Sequence, residues 1–172
     1  MRKLKLYIAS SLDGYIAGPN GEIDWLEAGG DTDYGYQQFY ASIDTTLMGN
    51  TTYKLALTFD KFPYSDKANY VFTRGCPPPD AAHVRFVSGD IAAFVRSLKG
   101  KPGKDIWLVG GGQVNTAMLN EGLIDEIILT VFPLVLGVGI PLFAPGASRT
   151  CLKTVGCRSY ETGLIQWHLI KG

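Results

Sequence analysis

The chain is poor in the residues that mark several functional classes. Its two histidines, His83 and His168, lie far apart, and its three cysteines, Cys76, Cys151 and Cys157, have no metal-ligand spacing. A zinc site is therefore disfavoured and no metal is expected; an odd cysteine count also argues against a disulfide framework and for a reduced, cytoplasmic setting. Charge of one sign is missing too. Sixteen basic and sixteen acidic side chains cancel, so no basic surplus points to nucleic acid and no like-charge run to a disordered tail. No apolar run reaches membrane-spanning length, because Lys, Asp or Gly interrupts each one. After Arg2, Lys3 and Lys5 the apolar stretch is only Leu6 to Ala9 before Asp13 closes it, too short for the core of a secretion signal. There is no Gly-x-x-x-x-Gly-Lys-Ser/Thr sequence, internal repeat or low-complexity segment, so kinase or nucleotidyl-transfer chemistry on a P-loop is a poor fit.

What is present is an ordinary globular balance, 46% hydrophobic and 19% charged over 172 residues. That length suits one domain, residues 1–172, able to bury a core without staples. Lys3 to Ser10 alternates as an opening strand, and Asp13-Gly14 with Gly18-Pro19-Asn20-Gly21 signals loop. A helix is predicted over Tyr34 to Ile43, with Tyr36, Phe39, Tyr40 and Ile43 on one face. A strand at Asp44 to Met48 leads into a second helix through Leu57, with Asn50 or Thr51 as its cap. Strands follow at Ala68 to Thr73 and His83 to Val87, and a helix from Ile91 ends at Gly100. The strand Asp105 to Val109, a helix carrying Val114, Met118 and Leu119, and a strand from Ile124 broken at Pro133 come next. A hairpin, Thr154 to Tyr160 and Leu164 to Ile170, closes the chain. Alternation of this kind predicts an α/β fold: three layers (αβα) around a mixed, mainly parallel sheet that ends in an antiparallel C-terminal hairpin.

The stretch DIWLVGGGQVN (Asp105 to Asn115) breaks an apolar strand with three glycines before a helix. It is not a Rossmann fingerprint: Asn115 stands where a third small residue is needed, and the turn comes two-thirds along the chain. Its physics is still that of a phosphate site, since glycines admit close backbone approach and a helix N-terminus offers unpaired N–H groups. By itself a plain strand-to-helix turn explains it as well. Two other strand ends add weight: Met48-Gly49-Asn50-Thr51-Thr52, with glycine, hydroxyls and a helix start, and Thr73-Arg74, with a hydroxyl and a planar guanidinium suited to a phosphate. Ligands of open α/β sheets bind outside the carboxyl ends of strands, so three such ends fit one extended dinucleotide.

The ordered set of segments IASSLDGYIA (Ile8 to Ala17), LMGNTTY (Leu47 to Tyr53), VFTR (Val71 to Arg74), LVGGG (Leu108 to Gly112), LIDE (Leu123 to Glu126) and PLVLGVG (Pro133 to Gly139) resembles the dihydrofolate reductase fold family. It is most similar to the C-terminal reductase domain of bacterial bifunctional riboflavin-biosynthesis deaminase-reductases and their free-standing relatives. The resemblance implies an NADPH-dependent reductase acting on a small-molecule substrate, and it leaves room for a homodimer. By carry-over, Ala9 and Ile16 with Ala17 flank the nicotinamide. Gly49, Asn50, Thr51 and Thr52 meet the pyrophosphate and adenosine side, and Thr73 with Arg74 the 2′-phosphate. Val109, Gly110, Gly111, Gly112, Gln113 and Val114 pack on the pyrophosphate and nicotinamide ribose. The family's basic residue after Met-Gly is here Asn50, which weakens phosphate attraction.

On the substrate side, Asp33 is the positional match to the acid that helps protonate the pterin in folate reductases, with Asp24 and Asp31 as competitors and helix capping as the plainer role. Trp25 and Tyr34 lie outside or at the edge of the helical stripe and are the pocket candidates. Lys67 stands near the folate arginine and lacks its fork, which disfavours a genuine folate reductase. The expected reaction delivers a hydride to a C=N or C=O carbon of a small heterocycle, as in reduction of the opened ribose of 5-amino-6-(5-phosphoribosylamino)uracil. The alternatives are a dihydrofolate reductase-like enzyme acting on a pteridine, and a nucleotide-binding module without catalysis.

Overall fold

Along the first strand, β1 (Leu4–Ser11), Leu4, Leu6 and Ile8 face one side of the sheet and Tyr7 faces the other, as strand periodicity requires. This holds in the computed structural model, which describes residues 1–172. Both sides are covered, and β1 takes a central place in the sheet. It pairs in parallel with β6 (Asp105–Gly110) and β7 (Glu126–Phe132), Leu6 lying opposite both Leu108 and Ile127. Beyond β6 come β3 (Ile43–Gly49), β4 (Ala68–Phe72) and β5 (Val84–Val87), all parallel. Beyond β7 the chain turns back. β10 (Ile165–Lys171) pairs antiparallel with β7 and with β9 (Leu152–Ser159), the terminal hairpin. The eight-stranded order is β5-β4-β3-β6-β1-β7-β10-β9.

Helices α3 (Ile91–Lys99) and α4 (Gly112–Asn120) pack Ala92, Val95, Leu98 and Met118 onto Leu4, Leu6, Leu47, Ile106 and Leu108, the larger core. Asp90 starts α3 by accepting the Ala93 N–H at 2.9 Å, and Gly100 follows it. On the opposite face lie α1 (Tyr36–Ser42) and α2 (Asn50–Ala56), where Phe39 packs on Ile43 and Trp107, and Tyr53 beside Met48 and Val71. The architecture is therefore three-layered, as the alternation implied. No helix is long and apolar enough to cross a membrane.

Four local expectations need correction. Residues 13–29 are not plain loop. They hold β2 (Tyr15–Ala17) and a 3-10 turn over Asp24–Gly29, and β2 pairs with β8 (Ile140–Pro141). Strands of two or three residues arise from pairing distant in sequence and leave no periodic signal. The first helix starts at Tyr36 rather than Tyr34, because Gly35 takes a left-handed conformation (φ 80°). Phe39 and Ile43 are buried, but Tyr36, from the same stripe, is exposed. Asn50 and Thr51 do not cap α2; they lie inside its first turn after Gly49, and no side chain caps it.

The amino ends of β1, β6 and β7 carry the charge. Glu126, 7% exposed, meets Lys3 Nζ at 2.6 Å, His168 Nε2 at 3.2 Å and Lys5 Nζ at 3.8 Å, while Lys5 also pairs with Asp105 at 2.8 Å. Burial alone would push the Glu126 carboxyl up. The Lys3 hydrogen bond, the Lys5 charge and the His168 contact outweigh it and hold the group below its ordinary value of 4.5. A carboxyl depressed in the folded state adds stability above its unfolded value and loses it as pH falls through the folded value. Glu126→Gln is therefore expected to lower stability at pH 7 by about 1–3 kcal/mol and to flatten the loss of stability below pH 4.5. Urea unfolding across that range checks it; an unchanged pH slope contradicts it.

Candidate functional site

Because β4, β3, β6 and β1 are neighbours and parallel, their carboxyl ends at Phe72, Gly49, Gly110 and Ser11 lie along one edge of the sheet. The segments singled out in the sequence meet there. Val114 seats against Gly49: a Cβ on that glycine would come 3.1 Å from Val114 Cγ2. Around Gly111 an added Cβ would lie 3.5 Å from Thr52 Oγ1 and 3.7 Å from Ile16 Cδ1, so these two side chains flank the turn. Arg74 Nη2 donates to Gln113 Oε1 at 2.6 Å, joining the β4 end to the first turn of α4. Ile16, Gly49, Thr52, Arg74, Gly110, Gly111, Gly112, Gln113 and Val114 are thus brought together.

The remaining predicted positions stand close by or below. Asn50 and Thr51 are exposed at the start of α2, and Thr73 follows β4 half-buried. Ala17 is buried in the β2–β8 pair. Val109 packs downward against the α1 and α2 face.

The three glycines have separate reasons. Gly110 adopts φ 118°, where L side chains are strained, and the Gly110–Gly111 peptide is cis. Gly112 is forced by its neighbour, since a Cβ would lie 2.2 Å from the Pro141 carbonyl oxygen. Gly111 differs from both, since a Cβ there would meet only ordinary contacts.

Whether a phosphate-bearing cofactor suits this edge can be judged from its polar groups. No side chain caps α4, so its first N–H groups have no intrahelical partner. Thr73 Oγ1 and Asn115 Oδ1 are buried without any partner, a condition that buried polar atoms rarely tolerate. The donors, the guanidinium and the orphaned oxygens fit a dinucleotide. Asn115 was missed as a site residue. It is fully buried, with Nδ2 donating to the Leu142 carbonyl at 2.9 Å and Oδ1 turned to Gly110. The available signal was a polar residue between Val114 and Met118 on the apolar face of a helix.

A cleft of about 330 Å³ opens beside this edge, between β1, β7 and the segment before α1. Ala9, Asp33 and Tyr34 line it, three residues that the sequence proposed for different roles, together with Ile8, Tyr7, Tyr36, Thr130 and Phe132. Ile8 is shared with the glycine edge, its Cδ1 lying 3.5 Å from where a Cβ on Gly110 would be. Asp33 Oδ1 accepts the Gln37 N–H at 3.0 Å, so the capping role is real. Only one of its oxygens is used for it. Asp24 and Asp31 are exposed and do not line the cleft. Trp25 lies behind the cleft, its ring edge-on to Phe132 at 5.0 Å and its N–H without a partner. Lys67 is also outside it, 3.0 Å from Asp66 and over the Tyr40 ring.

Tyr7 and Thr130 were not anticipated. Tyr7 stacks on Phe39 with centroids 4.4 Å apart and donates its phenol proton to the Tyr34 carbonyl at 3.0 Å. Burial is the main cause that pushes this phenol up to about 12, with the nearby Asp33 charge adding to it, so it stays protonated throughout the neutral range. Gln166 Nε2 donates to Thr130 Oγ1 at 2.9 Å and to the Tyr34 carbonyl at 3.0 Å, which fixes the cleft wall to β10. The only early sign of these residues was a tyrosine and a threonine flanked on both sides by apolar residues.

Residues 2–166 match the family model described as RibD C-terminal domain. The uncharacterized protein YwjB of Bacillus subtilis (strain 168) is 41% identical over 172 residues, covering 99% of this chain and 98% of its own. Among solved structures, a putative riboflavin biosynthesis protein from Shewanella sp. PV-4 superposes with a TM-score of 0.87 at 30% identity, covering 99% of both chains. The dihydrofolate reductase of Enterococcus faecalis, solved in complex with NADP(H) and RAB-propyl, shares the fold at TM-score 0.72 and 16% identity, over 99% of this chain and 96% of that one.

The glycine geometry yields a paired expectation. Gly112→Ala, which drives a Cβ into the Pro141 carbonyl, is expected to cost about 1–3 kcal/mol of stability. Gly111→Ala meets only normal contacts and should change stability by less than about 1 kcal/mol. Denaturant midpoints of the two variants decide it, and equal losses contradict the assignment.

Proposed function

The chain belongs to the RibD C-terminal domain family, and on that premise we propose that it is an NADPH-dependent reductase of the riboflavin-pathway type. Its reaction is hydride transfer to a C=N or C=O carbon of a small heterocycle. The observation that carries this reading is the shared wall at Ile8 and Ala9. On one side lie the glycine turn, Arg74 and the uncapped start of α4; on the other lies a cleft holding a carboxylate.

NADPH, when bound, supplies the hydride at the nicotinamide C4. The protein's own work is placement. Ala9 presents only a methyl group and Ile16 an apolar side chain, so a flat ring can lie against the end of β1. Arg74, oriented by Gln113, would hold the 2′-phosphate, and the first N–H groups of α4 would hold the pyrophosphate. Holding donor and acceptor at near-attack distance accounts for much of the rate gain open to two-reactant chemistry. Asp33, with one oxygen free of protein partners, delivers a proton to the reacting nitrogen or oxygen, directly or through water. Tyr34, whose phenol is anchored to the Gly29 carbonyl at 2.6 Å, and Phe132 form the walls that orient the heterocycle. Trp25 acts from behind, by holding Phe132.

Two measurements follow. Cofactor titration by fluorescence should give tighter binding of NADPH than of NADH. Arg74→Ala should weaken NADPH about 10- to 100-fold, the loss of a charge-assisted contact, with little effect on NADH. A failure to bind either nucleotide at millimolar concentration would sink the reductase reading. In a substrate screen followed by NADPH oxidation, Asp33→Asn should retain cofactor binding and lose roughly 10²- to 10⁴-fold in kcat/KM. Unchanged turnover would remove Asp33 from the mechanism, and wild-type binding without turnover on any substrate would favour a non-catalytic nucleotide-binding module.

A further inference from the structure

The chemistry of the cleft narrows what can occupy it. Twelve residues line it, and not one is lysine, arginine or histidine; the single charged side chain is Asp33. Two of its three phenol protons are already spent, that of Tyr7 on the Tyr34 carbonyl and that of Tyr34 on the Gly29 carbonyl. The N-terminal end of α1, the other local source of positive potential, already meets Asp33 through the Gln37 N–H. Two cations outside the lining stack on aromatic rings. Lys67 pairs with Asp66 at 3.0 Å and lies 4.0 Å over the Tyr40 ring, and Arg158 lies 5.0 Å over the ring of Tyr160, which packs edge-on with Tyr34.

At about 330 Å³ the cleft is at the small end of the range for small-molecule sites. It must also admit the reacting end of the cofactor. What remains suits one ring system.

From this we infer that the substrate is an uncharged or cationic heterocycle bearing no phosphate, unlike the phosphoribosyl compound of the riboflavin-pathway reaction. The inference rests on the reductase reading above and adds the substrate's charge class to it. A phosphate dianion in the cleft would face the Asp33 carboxylate with no cation among the lining residues. At a separation of a few ångströms in a solvated site this repulsion is worth about tenfold in affinity.

The test is a matched pair, 5-amino-6-ribosylaminouracil and its 5′-phosphate, titrated calorimetrically into the full-length protein at low ionic strength. The expected result is at least about tenfold tighter binding of the unphosphorylated member, with the gap closing in about 0.5 M salt as the repulsion is screened. Arg158→Ala should leave the affinity for that member unchanged. Equal affinities, binding of neither compound, or a preference for the phosphate overturns the inference; a phosphate preference that disappears in Arg158→Ala would assign the anion anchor to Arg158 instead. This titration needs neither NADPH nor turnover. Failure of the reductase reading, seen as absent cofactor binding, is therefore distinct from failure of the charge assignment.

Discussion

Parallel pairing of β1 between β6 and β7, with both faces buried, is the constraint on which the rest depends. A strand clamped in this way cannot slip by one residue without turning Leu4 and Leu6 away from α3 and α4 and Tyr7 away from Phe39. Once its register is set, parallel geometry leaves no choice about where the strands finish. Ser11, Gly49, Phe72, Gly110 and Phe132 must come out at one edge. The charges at the other edge, around Glu126 and Asp105, hold the same strands from below. The amino ends are thus tied together by ion pairs, while the carboxyl ends carry glycines, an uncapped helix start and orphaned oxygens.

The alternation of side chains on β1 also divides the chemistry. Ile8 reaches to the glycine turn on the α4 side, while Tyr7 and Ala9 form the floor of the cleft on the α1 side. Two ligands can therefore meet at the end of one strand without either passing through the sheet. The polar groups on the two sides differ in kind. N–H groups and a guanidinium lie at the glycine edge, whereas a carboxylate and neutral hydroxyls face the cleft. The anionic cofactor and uncharged substrate proposed above are the partners that this asymmetry separates most cleanly.

The larger features were legible in the sequence because each rests on a local signal. The glycine triplet, Met48-Gly49 and Thr73-Arg74 were visible as strand ends, and the αβ alternation implied that such ends share an edge. Asp33 was legible as a carboxylate at the start of a helix, where its capping bond to Gln37 is found. Other features depend on pairing between distant residues and were silent. β2 and β8 exist only because Tyr15 and Ala17 meet Pro141 and Ile140. Tyr7, Thr130 and Gln166 become neighbours only when β1, β7 and β10 assemble. Trp25, proposed for the pocket from its place outside the helical stripe, lies behind Phe132 because the 3-10 turn over Asp24–Gly29 points its ring inward. Asn115 read as a failed fingerprint glycine, whereas the fold makes it the buried brace between α4 and the Leu142 carbonyl.

The central claim is that three adjacent strand ends form one dinucleotide site next to a substrate cleft. Its most direct test is an amide-resolved NMR titration of the labelled full-length protein with NADPH. Shifts are predicted to cluster at Gly49–Thr52, Thr73–Arg74 and Gly110–Val114, with smaller changes at Ala9 and Ile16. Shifts confined to the β9–β10 hairpin or the amino-end charge cluster, or none at millimolar NADPH, would contradict it.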